Sequence, residues 1–147
     1  MSVKTYDPAA VAVSVGGVPI SGFADGTFIS VERDEDAFSK VVGADGITSR
    51  AKSNNRGGNI TITLAQTSPS NDVLEALALL DENTNTGIVP VLVKEGTGRA
   101  IHFSALAWVR KSATATYAKE IENREWILDM ADYTPGNAGT ADFEPST

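Results

Sequence analysis

The sequence of 147 residues contains no cysteine and only one histidine, His102. Without cysteine the chain can form no disulfide, no thiolate metal site and no cysteine nucleophile. One histidine excludes a multi-histidine metal centre within a single chain. The motifs of serine hydrolases, phosphate-binding loops and dinucleotide-binding folds are also missing. We therefore predict no catalytic, cofactor-binding or metal-binding residues, and we interpret His102 as a structural residue.

Long apolar runs and clusters of basic residues are missing as well. No run approaches the roughly 20 residues of a transmembrane helix, and residues 1–10 lack the pattern of a signal peptide. We therefore expect no membrane anchor, and synthesis in a cytoplasm. The 12 Lys and Arg residues are scattered through a chain whose net charge is −7. Because binding to the phosphate backbone requires clustered Lys and Arg, we do not expect sequence-specific nucleic-acid binding.

What the sequence does contain is a series of short apolar segments separated by turn residues. Gly16-Gly17, between two β-branched segments, predicts a tight hairpin. Ile60, Ile62 and Leu64 alternate with Thr or Ala, which predicts a strand with one buried face. Further strands are predicted over 27–33, 38–42, 47–52, 88–94, 100–109 and 121–130, with a turn over 95–98. The pattern favours one domain of antiparallel strands spanning 1–147, in which 134–147 is a flexible tail.

One helix is predicted over residues 69–82. Pro69 suits the first helical turn, and Ser68 or Ser70 can cap it. Four apolar residues recur at helical spacing and are expected to pack on the sheet; they are Val73, Leu74, Leu77 and Leu80.

Two polar motifs resemble sites but lack the residues that such sites require. Asp81-x-Asn83-x-Asn85 begins like a calcium loop, yet Thr86 and Leu92 occupy the positions of the required Gly and Glu. A turn that ends the helix fits better. The acidic residues of 32–36 follow one another with Arg33 among them, which is typical of a solvated loop rather than of catalytic carboxylates.

Several segments, in this order, resemble the inner tail tube proteins of contractile-tailed bacteriophages. They are VSVGGVPISGFADGTFISVE over 13–32, then DAFSKVVGADG, SRAKSNNRGG, ITITLAQTSPSNDVLEAL and KEIENREWIL. The resemblance extends from Tyr6 to Asp129. It implies a mainly β, antiparallel sandwich or barrel-like subunit with one flanking α-helix and a long β-hairpin. On ring assembly, the strands of neighbouring subunits would join in a continuous inner β-barrel.

The resemblance also implies a function and partners. Six copies would form a ring, and rings would stack into the inner tail tube, the conduit for genome ejection inside a contractile sheath. The implied partners are further copies of the chain, the tail sheath protein, the tape-measure and baseplate proteins, and phage DNA that passes without specific binding. The protein would be part of the virion after assembly in the host cytoplasm, and it would not be an enzyme.

The segment from Thr27 to Lys52 is interpreted as one long hairpin that bridges subunits. Its apolar residues would be costly to expose to water, and burial of each on assembly would contribute about 1.5–3 kcal/mol. We therefore predict four assembly-interface residues, which are Phe38, Val41, Val42 and Ile47.

A tube that passes DNA should have an acidic or neutral lumenal wall, because Lys and Arg would bind phosphates. Polar strand residues such as Thr61 and Thr63 suit such a wall, although the net charge of −7 equally suits solubility alone.

Other classes of protein remain open. A tail terminator, a tube-initiating protein or the tube subunit of a type VI-like secretion system would share most of these features. A β-sandwich lectin or adhesin would need exposed aromatic residues, whereas aromatics make up only 7% of the chain. Trp108 and Trp126 both lie in predicted strands, where core packing is expected.

Overall fold

A computed structural model describes residues 7–95 and 100–137 of the chain. After a short 3₁₀ turn (Pro8–Ala10), these residues form ten strands and one α-helix. In chain order they are β1 (Val11–Val15), β2 (Val18–Ile20), β3 (Ile29–Arg33), β4 (Phe38–Val42), β5 (Thr48–Lys52), β6 (Gly58–Ala65), α1 (Ser70–Thr84), β7 (Val89–Glu95), β8 (Ala100–Lys111), β9 (Asn123–Met130) and β10 (Thr134–Asn137). No helix in the described ranges is both long and apolar enough to cross a membrane.

Eight of the strands form one antiparallel sheet. Its order is β2-β1-β7-β8-β9-β6-β3, and β10 pairs with the first part of β8. The remaining two strands, β4 and β5, form a separate hairpin. The sheet wraps around a single cluster of buried residues, to which β1, β6, β7, β8, β9 and α1 all contribute. The mainly β, antiparallel fold expected from the sequence is therefore confirmed.

The predicted turn between β1 and β2 is confirmed. Gly16 and Gly17 have φ values of 61° and 83°, which are the positive values that a two-residue hairpin turn requires at both positions. Buried and partly buried residues alternate regularly in β6, as predicted, and every second residue from Gly58 to Leu64 is buried. The same alternation buries Trp126, Leu128 and Met130 of β9.

Helix α1 is fixed to the sheet through a buried amide. The Trp126 indole N–H donates a hydrogen bond of 2.9 Å to Asn71 Oδ1, and the Asn71 amide donates to the carbonyls of Ala65, Gln66 and Ser68. The start of the helix is held by Ser68, whose Oγ accepts from the Ser70 N–H at 3.2 Å. This one amide therefore connects the helix, the loop before it and β9.

The predicted apolar stripe of α1 is only partly right. Leu74 and Ala78 are buried and Leu77 packs against the core, but Leu80 is 44% exposed. Successive residues of an α-helix are rotated by about 100°. Leu80 therefore lies about 120° around the helix from Leu74, beyond the side that faces the sheet.

The single hairpin predicted over 27–52 is wrong. Residues Ile29 to Arg33 form β3, which pairs with β6 in the main sheet, and only β4 and β5 form the hairpin. The physical reason is that Ile29 and Val31 pack against the core, which holds this segment on the body. Residues 134–137, predicted as the start of a flexible tail, form β10 because they pair with β8. Residues 138–147 and most of the predicted 95–98 turn lie outside the described ranges.

Candidate assembly surfaces

Strand β3 has an open backbone edge. The Thr63 N–H donates to the Phe28 carbonyl at 2.9 Å, and the Asp34 N–H donates to the Gly57 carbonyl at 3.1 Å. Even-numbered residues of this segment therefore bond to β6. Because alternate residues of an antiparallel strand direct their N–H and C=O groups to opposite sides, those of Ile29, Val31 and Arg33 point away from the sheet. No described strand pairs with them.

A second open edge lies at the end of β8. Pairing of β8 with β7 stops at Ala107, whereas pairing with β9 continues to Lys111. Residues 108–111 therefore have a strand on one side only, within the described part of the chain. Among the described residues, the ribbon β8-β9-β6-β3 is thus open along β3 on one side and at residues 108–111 of β8 on the other.

The edge at β2, in contrast, is blocked. Val15 and Val18 flank the two-residue turn and form a hydrogen-bonded pair, so the nitrogen of Pro19 faces outward. Proline has no N–H to offer a further strand, and natural sheets use it to protect edges. Pairing with another chain is therefore possible at β3 and at the end of β8, but it is disfavoured at β2.

The outward face of the ribbon β8-β9-β6-β3 is largely polar; we call it the polar face. Its residues on β3, β6 and β9 include Ser30, Glu32, Asn59, Thr61, Thr63, Glu125 and Asp129. From β8 it carries Trp108, which is half-buried, Arg110 and Lys111. Arg110 Nε lies 3.0 and 3.1 Å from the two carboxylate oxygens of Asp129, and these hydrogen bonds raise the pKa of Arg110. Of the two cations on the polar face, Arg110 is therefore paired directly with a carboxylate, that of Asp129.

The β4–β5 hairpin stands apart from the core. All ten residues of its two strands are exposed. The four predicted interface residues lie here, with exposed fractions of 45% for Phe38, 67% for Val41, 56% for Val42 and 64% for Ile47. Phe38 lies at the base of the hairpin, opposite Lys52.

The strand register divides the hairpin into two different faces. Phe38 and Val42 lie on one face, and Val41 on the other, because side chains alternate along a strand. The first face, which we call the basic face, also carries the hairpin's three cations, Lys40, Arg50 and Lys52. The structure thus brings Phe38 and Val42 together and places Val41 opposite.

Three contacts order the basic face and the base of the hairpin. The Arg50 guanidinium lies 4.2 Å from the centroid of the Phe38 ring, within cation–π range. Glu35 accepts hydrogen bonds from the Ser53 hydroxyl and from Asn55 Nδ2, and these bonds lower the pKa of Glu35. The acidic run is therefore not only a solvated loop, since one of its carboxylates joins the two ends of the hairpin.

The single histidine has a partner that the sequence did not reveal. His102 Nδ1 lies 2.6 Å from the Tyr133 hydroxyl, and the Arg33 guanidinium lies 5.5 Å from the Tyr133 ring centroid. Tyr133 is buried, and burial raises its pKa. This cluster links β3, β8 and the segment before β10, which agrees with a structural role for His102.

The fold matches a chain in the cryo-EM structure of the anti-feeding prophage cap (AFP tube terminating cap) with a TM-score of 0.65 and 14% identity, covering 94% of this chain and 95% of that chain. It also matches a chain of the PVC sheath-tube complex, an extracellular contractile injection system, with a TM-score of 0.60 and 14% identity over 90% and 92% of the two chains.

Sequence comparison then gives the family. The family model described as Bacteriophage PhiTE tail tube protein matches residues 4–134, and the chain belongs to this family. It is also 32% identical over 152 residues to "Structural protein ORF10" of Pseudomonas phage KPP10, covering 98% of this chain and 88% of that protein. The resemblance found in the sequence is confirmed: this is a structural phage tail tube protein and not an enzyme.

Proposed function

We propose that the chain builds the inner tail tube itself, as stacked hexameric rings inside a contractile sheath that conduct the genome during ejection. The observation that carries this proposal is the pair of open edges on the ribbon β8-β9-β6-β3. A monomer usually protects such edges because unpaired strands aggregate. Closing a ring removes them.

The strand directions of the ribbon suit ring closure. Each of its four strands is antiparallel to the next, so β3 runs opposite to β8. If copies are related by simple rotation, β3 of one copy lies beside the end of β8 of the next and antiparallel to it. Antiparallel pairing therefore continues from copy to copy without any subunit being inverted, and the contact is heterologous, as a ring requires.

In this arrangement the polar face would line the lumen. Its three carboxylates, Glu32, Glu125 and Asp129, outnumber its two cations, Arg110 and Lys111. Such a wall offers few positive groups to DNA phosphates. The helix and the β2 edge would then face outward, toward the sheath, and tape-measure and baseplate proteins would contact the tube as it is assembled in the host cytoplasm.

A tube terminator is the second candidate. The fold matches a chain of the PVC sheath/tube terminator with a TM-score of 0.61 and 15% identity over 91% of this chain and 99% of that chain. A terminator would close into rings through the same edges but would not stack them indefinitely.

Electron microscopy of the purified protein over a range of concentrations tests the proposal. Long tubes of stacked rings are expected. Single rings that never stack would favour the terminator, and a protein that stays monomeric throughout would contradict both.

A further inference from the structure

The tripeptide Ala-Asp-Gly occurs twice in the chain, at residues 24–26 and 44–46, and in both copies the Asp and the Gly are exposed. Aspartate rearranges to isoaspartate most readily before glycine, because glycine has no side chain to hinder attack by its own backbone nitrogen on the neighbouring carboxyl carbon. Gly26 and Gly46 have φ values of 83° and 85°, and a Cβ atom at either would meet nothing within 4 Å. The two copies therefore match in sequence, in glycine conformation and in open space.

The first copy lies in an excursion of the edge strand. The Ala24 N–H donates to the Thr63 carbonyl at 3.1 Å, and the Thr63 N–H donates to the Phe28 carbonyl at 2.9 Å. Because both bonds go to one residue of β6, the three residues between Ala24 and Phe28 are left out of the pairing. Neither the Gly26 N–H nor the Asp25 carboxylate has a hydrogen-bond partner among the described residues. No hydrogen bond therefore restrains the two groups that would react.

The second copy is held by its own turn between β4 and β5. The Gly46 N–H donates to the Gly43 carbonyl at 2.9 Å, and Asp45 Oδ1 accepts from the Ile47 N–H at 3.1 Å. The Gly43 N–H also donates to the Ile47 carbonyl at 2.8 Å, which closes the turn. Both reacting groups of this copy are therefore engaged, and the turn would have to open locally before they could meet.

We propose that Asp25 is a site of spontaneous isoaspartate formation in the folded protein and that Asp45 is protected from it. The Gly26 nitrogen attacks Asp25 Cγ and forms a C–N bond, and the hydroxyl of the protonated carboxyl group leaves as water with the amide proton. Water then opens the resulting succinimide ring. Opening at the side-chain carbonyl restores aspartate, whereas opening at the main-chain carbonyl leaves isoaspartate, which adds one methylene to the main chain. Water is the only other reactant.

The place of Asp25 in the fold gives this modification a consequence. A structural protein of a virion is not replaced once the particle is complete, so slow chemical changes accumulate in it. The excursion leads through Phe28 directly into β3, so the added methylene would lie next to the open edge. The chemistry itself requires only the folded subunit, and it does not depend on the proposed function.

Ageing of the purified protein at neutral pH, followed by digestion with trypsin, tests the assignment. Cleavage after Lys and Arg places the two aspartates in separate peptides, 5–33 and 41–50. Asp7 shares the first peptide but precedes a proline, which has no N–H to react. Isoaspartyl methyltransferase with labelled S-adenosylmethionine then marks the isoaspartate in each peptide. We expect several-fold more label in 5–33 than in 41–50.

The unfolded chain is the matched control, because the two tripeptides are identical. Ageing in guanidinium chloride should label both peptides to similar extents, so that the difference in the folded protein reports the structure. Asp25→Glu keeps the charge but would have to close a larger ring, and it should abolish the label in 5–33. A ratio of labels in the folded protein no greater than that in the unfolded chain would overturn the assignment. Label in 5–33 that persists in Asp25→Glu, or that never appears in the unchanged protein, would overturn it as well.

Discussion

At the scale of single residues, the side chain of Asn71 makes four hydrogen bonds. Its amide bonds to the Trp126 indole and to three carbonyls before the helix, those of Ala65, Gln66 and Ser68, and all of these groups are wholly or partly buried. Nothing in the sequence marks Asn71, because its partner Trp126 is 55 residues away. The burial of Trp126 followed from its place in a strand, but its hydrogen bond depends on tertiary structure.

Replacement of Asn71 with Ala should therefore destabilise the subunit without affecting its surface. The Trp126 N–H would be left buried without an acceptor, which costs about 1–3 kcal/mol. Urea denaturation of the monomer, followed by tryptophan fluorescence, measures this loss. Asn83→Ala, an exposed change in the same helix, serves as the control and should be nearly neutral. Equal stability of the two variants would show that the buried amide contributes little.

At the scale of secondary-structure elements, sequence reasoning succeeded where the signal was local. The Gly16-Gly17 turn, the alternation of β6 and the helix are all encoded within a few neighbouring residues. It failed where pairing joins distant residues. β3 pairs with β6, about 29 residues further along the chain, so the sequence alone could not show that residues 27–33 leave the hairpin.

Helix α1 provides a direct comparison between its buried and exposed sides. Leu74 is fully buried, so Leu74→Ala should cost about 2–5 kcal/mol of subunit stability. Leu80→Ala makes the same chemical change on the exposed side and should change stability by less than about 0.5 kcal/mol. Thermal denaturation of both variants checks the pair. A large loss for Leu80→Ala would mean that this side of the helix is covered by a contact that the isolated fold does not show.

The open edge of β3 can be blocked without disturbing its pairing with β6. The Val31 N–H points away from β6, so Val31→Pro removes an outward donor, as prolines on natural edge strands do, together with a side chain that packs against the core. We expect a folded subunit that no longer forms rings. Val31→Ala shortens the side chain but keeps the N–H, and it should still assemble. Gel filtration and electron microscopy distinguish the two, and rings formed by Val31→Pro would show that β3 is not a ring contact.

The hairpin can be tested in the same manner. Val41→Asp with Val42→Asp places charges on both faces of a hairpin whose residues are already exposed, so the subunit should remain folded. Tubes should not form, because each Asp would have to be desolvated at the contact. Circular dichroism confirms the fold and electron microscopy reports assembly. Normal polymerisation of this variant would contradict the prediction that Phe38, Val41, Val42 and Ile47 form an assembly interface.

At the scale of the whole molecule, charge is unevenly distributed. The hairpin is basic and the remainder of the chain is strongly acidic, while the polar face holds three carboxylates against two cations. Net charge alone could be read from the sequence as a device for solubility. If the ribbon lines a ring as proposed, Glu32 and Glu125 would give the negative charge a second role in the channel. Neither has a cationic partner in a salt bridge among the described residues.

Replacement of Glu32 and Glu125 with Lys should therefore produce tubes that retain duplex DNA. Each lysine facing a phosphate releases counterions, so retention should be strong at low salt and fall steeply as salt rises. The control carries Asp72→Lys and Glu82→Lys, two exposed helix positions that change the net charge by the same amount on the opposite side of the subunit. Co-sedimentation of assembled tubes with DNA across a salt series measures the difference. Equal DNA retention by both variants would show that binding follows net charge and that the polar face is not the lumenal wall. Retention by the polar-face variant alone would support the polar face as the acidic wall of the channel.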